Sequence, residues 1–194
     1  MKVSATQLKI RNSARDLFKR YGLKKVSIED ICNSAEISKM TFYRNFSNKS
    51  DIAYKVIENE LIIGQNTYDE IMNSDMDFKK KIHEIIQKKN ENSQSISMEF
   101  LSDIFNSEEA DIQKLIQNHT DLSIQKVRIF FNEAKEKNFI RKEINIELLI
   151  LMINSFAQKM KDPAFLSIFK SPEEAVRELN NFFFYGIMQI PDNE

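Results

Sequence analysis

The stretch "SIEDICNSAEISKMTFYRNF", which runs from Ser27 to Phe46, decides the fold because it contains two helix starts close together. Ser27 is a favoured N-cap residue, and Asp30 stands three residues later, at the position that completes a capping box. Ser38 can cap a second helix in the same way. Only a few residues separate the two short helices, and this layout predicts a helix-turn-helix.

The second of these helices has two unlike faces. Each residue advances about 100° around a helix axis, so Phe42 and Phe46 lie on one side while Met40 and Arg44 lie almost opposite. The pattern predicts a helix that is anchored by its aromatic back and presents its front to a partner.

A further helix is predicted before this stretch, from about Ala5 to Tyr21, because apolar residues recur there with helical spacing. Gly22 follows and suits a left-handed C-terminal cap. The other face of this helix carries five basic residues, namely Lys9, Arg11, Arg15, Lys19 and Arg20.

The middle of the chain also reads as helices. Asn48 or Ser50 can cap a helix that begins near Asp51. A long helix is expected after Ser107, and the polar residues at 119–121 are a place where it can break.

The last third of the chain is richer in apolar residues. The segment "SPEEAVRELNNFFFYGIM" begins with a good helix start at Ser171 and Pro172 and then carries consecutive bulky rings, which point in several directions from a helix. One face can pack on the body while another needs a second cover, and a symmetric copy supplies one. The alternative is a terminal helix buried in its own core. The predicted dimer contacts are Leu179, Phe182, Phe183 and Tyr185.

The composition supports an all-α protein. The 194 residues include only 3 glycines and 3 prolines, and 42% of them are apolar, which is enough for a sizeable core. Long helices with few tight turns fit these numbers better than a multi-stranded sheet.

No cofactor or metal site is predicted. Cys32 is the single cysteine, and the two histidines, His83 and His119, lack the spacing of a zinc site. The N-terminus has no apolar core of a signal peptide, and the longest aliphatic run, residues 148–153, is too short for a membrane span. A soluble protein of the bacterial cytoplasm, with no membrane partner, is expected.

Charge is distributed unevenly along the chain. Residues 1–50 contain eleven lysines and arginines against four aspartates and glutamates, a net charge of +7, whereas the remainder carries 17 against 25, a net charge of −8. A cationic end on an acidic body is expected when that end meets nucleic acid, although lysine-rich solvated helices are also common.

The segment "RDLFKRYGLKKVSIEDICNSAEISKMTFYRNFSNKSDIAYKVIEN" resembles the DNA-binding domain of TetR-family transcriptional regulators. The likeness is close from Ile10 to about Asn59 and rests on helix order beyond that. It implies a helix-turn-helix domain at 1–47 and a ligand-binding and dimerisation domain at 48–194, with about nine helices in all. It also implies a homodimer that represses genes until a small molecule binds.

The predicted DNA contacts follow from the exposed face and from the resemblance. Arg44 and Thr41 are the expected base readers, since the guanidinium fork matches guanine, and a phosphate contact is the alternative for Arg44. The other contacts are assigned to the backbone or the groove. They are Lys39, Tyr43 and Asn45 at the rim, Met40 in the groove, and Ser27 and Lys49 at helix starts that in this family meet phosphates. A core aromatic is the alternative for Tyr43.

Two positions depart from the family pattern. Glu36 occupies a turn position that is commonly glycine, so a left-handed backbone there would be strained by about 1 kcal/mol. Met40 replaces a small residue and favours an apolar contact such as a thymine methyl group.

A pocket for the effector is expected between helices of the body. Eight residues are candidates for its lining, although ordinary core is the alternative for each: Tyr68, Phe100, Phe105, His119, Phe130, Phe131, Met152 and Phe156.

The sequence therefore predicts a sequence-specific regulator that binds an inverted-repeat operator in double-stranded DNA as a homodimer and is released by an unknown small molecule. An architectural or partner-recruiting DNA-binding protein without an inducer is the alternative. An enzyme is not expected, since the chain has no phosphate-binding glycine loop, zinc motif or nucleophile elbow.

Overall fold

The computed structural model describes residues 4–94, 96–159 and 162–187, and all regular elements within them are helices. The all-α prediction is therefore confirmed. None of the described helices is both long and apolar enough to cross a bilayer. In chain order the helices are α1 (Ala5–Tyr21), α2 (Ile28–Ser34), α3 (Lys39–Asn45), α4 (Lys49–Met72), α5 (Phe78–Gln94), α6 (Met98–Phe105), α7 (Ala110–Glu136), α8 (Ile146–Lys159), α9 (Pro163–Leu166) and α10 (Pro172–Ile187).

Local capping explains where the first three helices begin. Ser4 caps α1 and forms a reciprocal capping box with Gln7. Ser27 caps α2 with Asp30 as its partner, and the Ser38 hydroxyl accepts the Thr41 N–H at the start of α3. The predicted helix-turn-helix is present with both predicted caps.

The predictions for the middle helices are confirmed in part. Asn48 caps α4, since its side-chain oxygen accepts the Asp51 N–H at 2.8 Å. The break expected at residues 119–121 was wrong, because α7 is continuous there. Thr120 and Asp121 face solvent, where polar side chains are compatible with a helix, and both keep the backbone N–H that a helical hydrogen bond needs. The short helix α9 was not anticipated.

One compact unit comprises residues 1–70 and 94–119. Its core contains residues from α1 to α4 together with Phe100 of α6 and Ile112 of α7. The helix-turn-helix is thus built on a core that later parts of the chain complete. The domain boundary at residue 47 stays a prediction.

The second compact unit comprises residues 71–93 and 120–194. Its core is rich in phenylalanine. Phe78 stacks on Phe130 with ring centroids 5.1 Å apart, and Phe131 meets Phe183 edge to face at 6.2 Å. These contacts join α5, α7 and α10.

The turn between α2 and α3 contains a left-handed residue. Glu36 has φ of 49°, in a region that costs a residue with a Cβ atom about 1 to 2 kcal/mol. The turn is closed by the Ile37 N–H, which donates to the Cys32 carbonyl at 3.0 Å. The Glu36 carboxylate pairs with the exposed Lys9 ammonium at 3.0 Å, a contact that contributes little.

Glu36→Gly is expected to be more stable than Glu36→Ala by about 1 kcal/mol, because only glycine adopts this φ without strain. Both variants lose the pair with Lys9, so the comparison isolates the backbone. Urea unfolding of the two variants measures the difference. Equal midpoints would show that the turn is unstrained.

Candidate nucleic-acid interface

The back of α3 is fixed by aromatic packing. Phe42 is fully buried and Phe46 nearly so, and their ring centroids are 5.9 Å apart. The Tyr43 ring meets Phe42 edge to face at 5.5 Å. These contacts set both the position and the rotation of the short helix.

The front of α3 is open to solvent. Met40 is 67% exposed and Tyr43 is 56% exposed. Arg44 is also exposed, and its Nη2 atom lies 3.5 Å from the Met40 sulfur, a weak acceptor. A thioether, a phenol and a guanidinium therefore share one surface, which offers apolar contact, a hydroxyl and a charged fork.

Two other predicted contacts are engaged within the helix. The Thr41 hydroxyl lies 3.0 Å from the Ser38 hydroxyl, and Asn45 Nδ2 donates to the Thr41 carbonyl at 2.8 Å. Thr41 and Asn45 are both half-buried. Each local hydrogen bond restrains its side chain but leaves it further donor or acceptor capacity for a base or phosphate.

Lys39 stands beside Glu29 at the edge of this surface. Its ammonium donates to the Glu29 carboxylate at 2.8 Å, and this hydrogen bond raises the pKa of Lys39. Both side chains are exposed, so the pair contributes little to stability. A phosphate can displace Glu29 at small cost.

The start of α2 presents a tight cap. The Ser27 hydroxyl donates to Asp30 at 2.7 Å, and the Ser27 N–H donates to the same carboxylate at 2.8 Å. These two hydrogen bonds lower the pKa of Asp30. The Ser27 hydroxyl is thus already a donor, which a phosphate at this helix start would have to share.

Lys49 points into the chain. Its ammonium donates to the Lys24 carbonyl at 3.1 Å, and burial lowers the pKa of Lys49 despite nearby Asp103, Asp30 and Glu109. The predicted phosphate contact requires this ammonium to turn outward. Sequence reasoning did not foresee the contact with Lys24, which lies 25 residues earlier.

The basic face of α1 is only partly available. Lys19 pairs with Glu60 at 2.5 Å, and both side chains are largely covered. Arg15 pairs with Asp16 at 2.8 Å, and the Arg20 guanidinium lies 5.2 Å from the Tyr21 ring. Because its ion pair with Glu60 is largely covered, the Lys19 ammonium contributes little to the exposed basic surface of α1.

The eight residues proposed for an effector pocket are distributed over both units. Phe100 belongs to the core of the first unit, and Phe105 is half-exposed. His119 Nε2 lies 3.1 Å from the Leu61 carbonyl. The other residues lie in the second unit or, in the case of Tyr68, at the end of the first. Phe130, Phe131, Met152 and Phe156 pack in or against the core of the second unit.

An apolar groove lies between α8 and α10 of the second unit. It has a volume of about 490 Å³ and is lined by Leu148, Met152 and Phe182 among others. Phe182 is 70% exposed, whereas Phe183 packs against Phe131 of its own chain. Leu179 is half-buried, and the Tyr185 side chain lies outside the described residues.

The N-terminal part of the chain matches a known protein family. Residues 10–55 match the sequence model of bacterial regulatory proteins of the tetR family. This segment runs from α1 to the first part of α4 and includes every residue of α3. No curated protein matches the chain.

Solved structures share the fold over nearly the whole chain. Regulatory protein TetR from Rhodobacter sphaeroides has a TM-score of 0.78 at 14% identity, covering 95% of this chain and 100% of that one. The fatty acid degradation regulator FadR from Bacillus halodurans has a TM-score of 0.69 at 15% identity, covering 95% and 97%. The ketosteroid transcriptional regulator KstR2 of Mycobacterium tuberculosis has a TM-score of 0.66 at 14% identity, covering 97% and 98%.

The Asp30 cap is expected to make stability depend on acid pH. A carboxylate whose folded pKa is lowered contributes stability above its unfolded pKa of about 3.9, and that contribution is lost as pH falls through the folded value. The urea midpoint of Asp30→Ala should therefore lie below that of the parent at about pH 7 and approach it at about pH 3. In a Ser27→Ala background, which lacks the main partner, the convergence should be weaker. A gap that stays constant with pH would contradict this account.

Proposed function

This chain belongs to the TetR family of bacterial regulatory proteins, and from this premise we propose that it represses its target genes until a small-molecule effector releases it from DNA. The operator is an inverted repeat in double-stranded DNA, bound by two copies of the chain. The chain acts by binding and not by catalysis.

The observation that carries this proposal is the two-sided recognition helix. Because Phe42 and Phe46 hold the back of α3, the exposed front can enter a major groove as a rigid body. Arg44 is the expected base reader, since its fork can bond to both guanine acceptors. Met40 can contact a thymine methyl group beside it.

The surroundings of α3 favour a phosphate backbone. Lys39 and Lys24 expose their ammonium groups, and Lys49 lies at the first position of α4. Helix starts with exposed amides also favour an anion. These contacts position the helix on DNA, whereas the side chains of α3 supply the sequence preference.

The apolar groove between α8 and α10 supports pairing with a second copy. Leu148 and Leu151 are exposed on α8, and Phe182 is exposed on α10. Exposing clustered apolar side chains to water costs free energy, and such clusters are characteristic of two-fold interfaces. Two recognition helices about 34 to 36 Å apart would then meet successive major grooves.

The proposed small-molecule effector is supported by structural relatives and by the aromatic residues of the second unit. The names of two structural relatives connect them with fatty acid degradation and with ketosteroids. In this chain Phe130, Phe131, Met152 and Phe156 lie in or against the apolar core of the second unit, which is an environment suited to an apolar effector. An effector shifts the regulator only if it binds the DNA-incompetent arrangement more tightly.

Selection from random duplexes with the purified chain should return an inverted repeat, and affinity should fall steeply with salt as counterions are released. Arg44→Ala should weaken binding and relax preference at one position per half-site, by about 1 to 3 kcal/mol. Arg44→Lys is the matched control, because it keeps the charge and loses the fork.

The two variants distinguish base reading from phosphate contact. If Arg44→Lys keeps both affinity and preference, Arg44 touches the backbone and the assignment to a base is wrong. If the parent chain enriches no duplex at all, the proposed function is wrong.

Phe182→Glu is expected to raise the dimer dissociation constant at least about thirtyfold, because it places a charge in an apolar interface. Ile168→Glu is the matched control: Ile168 is 72% exposed and lies outside the groove. Sedimentation equilibrium measures both. A Phe182→Glu chain that dimerises like the parent would move the interface elsewhere.

A further inference from the structure

Helix α6 is held against the turn between α1 and α2. Phe100 of α6 is buried in the same core as Phe18 of α1. The Ser97 N–H, at the N-cap of α6, donates to the Lys19 carbonyl in the last turn of α1 at 2.8 Å. One end of α6 is thus bonded to the main chain of the DNA-binding module.

Asp103, near the other end of α6, makes the second main-chain contact. Its Oδ2 atom accepts the Lys24 N–H at 2.9 Å, and its side chain is only 13% exposed. The Lys24 ammonium is 79% exposed and 3.9 Å from the carboxylate, so it adds little. The principal partner of Asp103 is therefore a backbone amide.

The turn is shaped to admit this carboxylate. Gly22 has φ of 85°, and a Cβ atom added there would lie 2.7 Å from Asp103 Oδ2 and 3.1 Å from Glu99 Cβ. Glycine is required at this position for its backbone angle and also for the space that α6 fills.

The same peptide segment is held from a second direction. The Lys49 ammonium, at the start of α4, donates to the Lys24 carbonyl at 3.1 Å. Lys24 therefore has its N–H bonded to α6 and its carbonyl bonded to α4. Ser27, the cap of α2, follows only three residues later.

We propose that Asp103 is a positioning residue for operator binding, which acts by fixing the Lys24 backbone and hence the direction in which α2 and α3 leave the turn. This inference rests on the proposed function. Leu23 and Val26 are buried in the core and set the depth of the turn. Asp103 sets its orientation, since a hydrogen bond is directional where apolar packing is not.

A fixed direction of α2 and α3 restricts the spacing of half-sites that two copies of the chain can bind together. When two binding modules are joined rigidly, a target whose half-sites are wrongly spaced is bound poorly, whereas a loose joint tolerates it. Asp103 thus contributes to operator specificity without touching DNA.

Asp103→Ala is expected to bind the selected inverted repeat about tenfold more weakly than the parent. It should also lose at least about threefold of the parent's discrimination against a repeat with one inserted base pair. Fluorescence anisotropy with both duplexes measures the two quantities. General destabilisation lowers the active fraction equally for both duplexes and leaves their ratio unchanged, so the ratio isolates positioning.

Two variants serve as controls. Asp103→Asn keeps an oxygen that accepts the Lys24 N–H, and it should retain most of the parent's discrimination. Glu99→Gln removes an exposed carboxylate from the same helix and should change neither quantity.

Amide hydrogen exchange provides a measurement that needs no variant. In the parent chain the Lys24 N–H should be protected from exchange, and exchange at the rate of an open loop would overturn the proposal. A folded Asp103→Ala chain with the parent's discrimination ratio would also overturn it. Failure of the parent to select any duplex would instead refute the proposed function, and this inference with it.

Discussion

The burial of Phe42 is the constraint on which the DNA-binding surface depends. A helix of seven residues has little stability of its own, since nucleation of a helix is costly. α3 is held in place because Phe42 enters a core that α1, α2, α4, α6 and α7 also fill. The residues on the exposed side of α3 owe their direction to Phe42 together with Phe46, which packs beside it.

The arrangement makes the first compact unit more than an N-terminal domain. Phe100 and Ile112 complete its core although they lie far along the chain. The polar contacts of Ser97 and Asp103 follow the same pattern, since each bonds to main-chain atoms between residues 19 and 24. Reading DNA and folding the middle of the chain are therefore linked in one core.

The helix boundaries of the DNA-binding module could largely be predicted from the sequence, because they depend on local capping. The caps at Ser27 and Ser38 and both ends of α1 follow from residues within a few positions of each other, which is the range over which capping acts. The contacts of Asp103 with Lys24, and of Lys49 with Lys24, join residues 79 and 25 positions apart. No periodicity encodes such pairs, so the contact between Lys49 and the Lys24 carbonyl could not be foreseen, and the phosphate contact expected for Lys49 from the family resemblance stays a prediction. The continuity of α7 was missed because solvent-facing polar residues look like helix breakers when burial is unknown.

The contact between Arg44 and Met40 bears on how readily the guanidinium can change partner. Sulfur is a poor acceptor, so the guanidinium is kept along the helix by a contact that is easily exchanged. Glu29, by contrast, holds Lys39 with a full charge. If Arg44 reads a base as proposed, the guanidinium can exchange this weak contact for a base acceptor at little cost. A resting partner this weak would leave the proposed reader available for whichever acceptor the DNA offers.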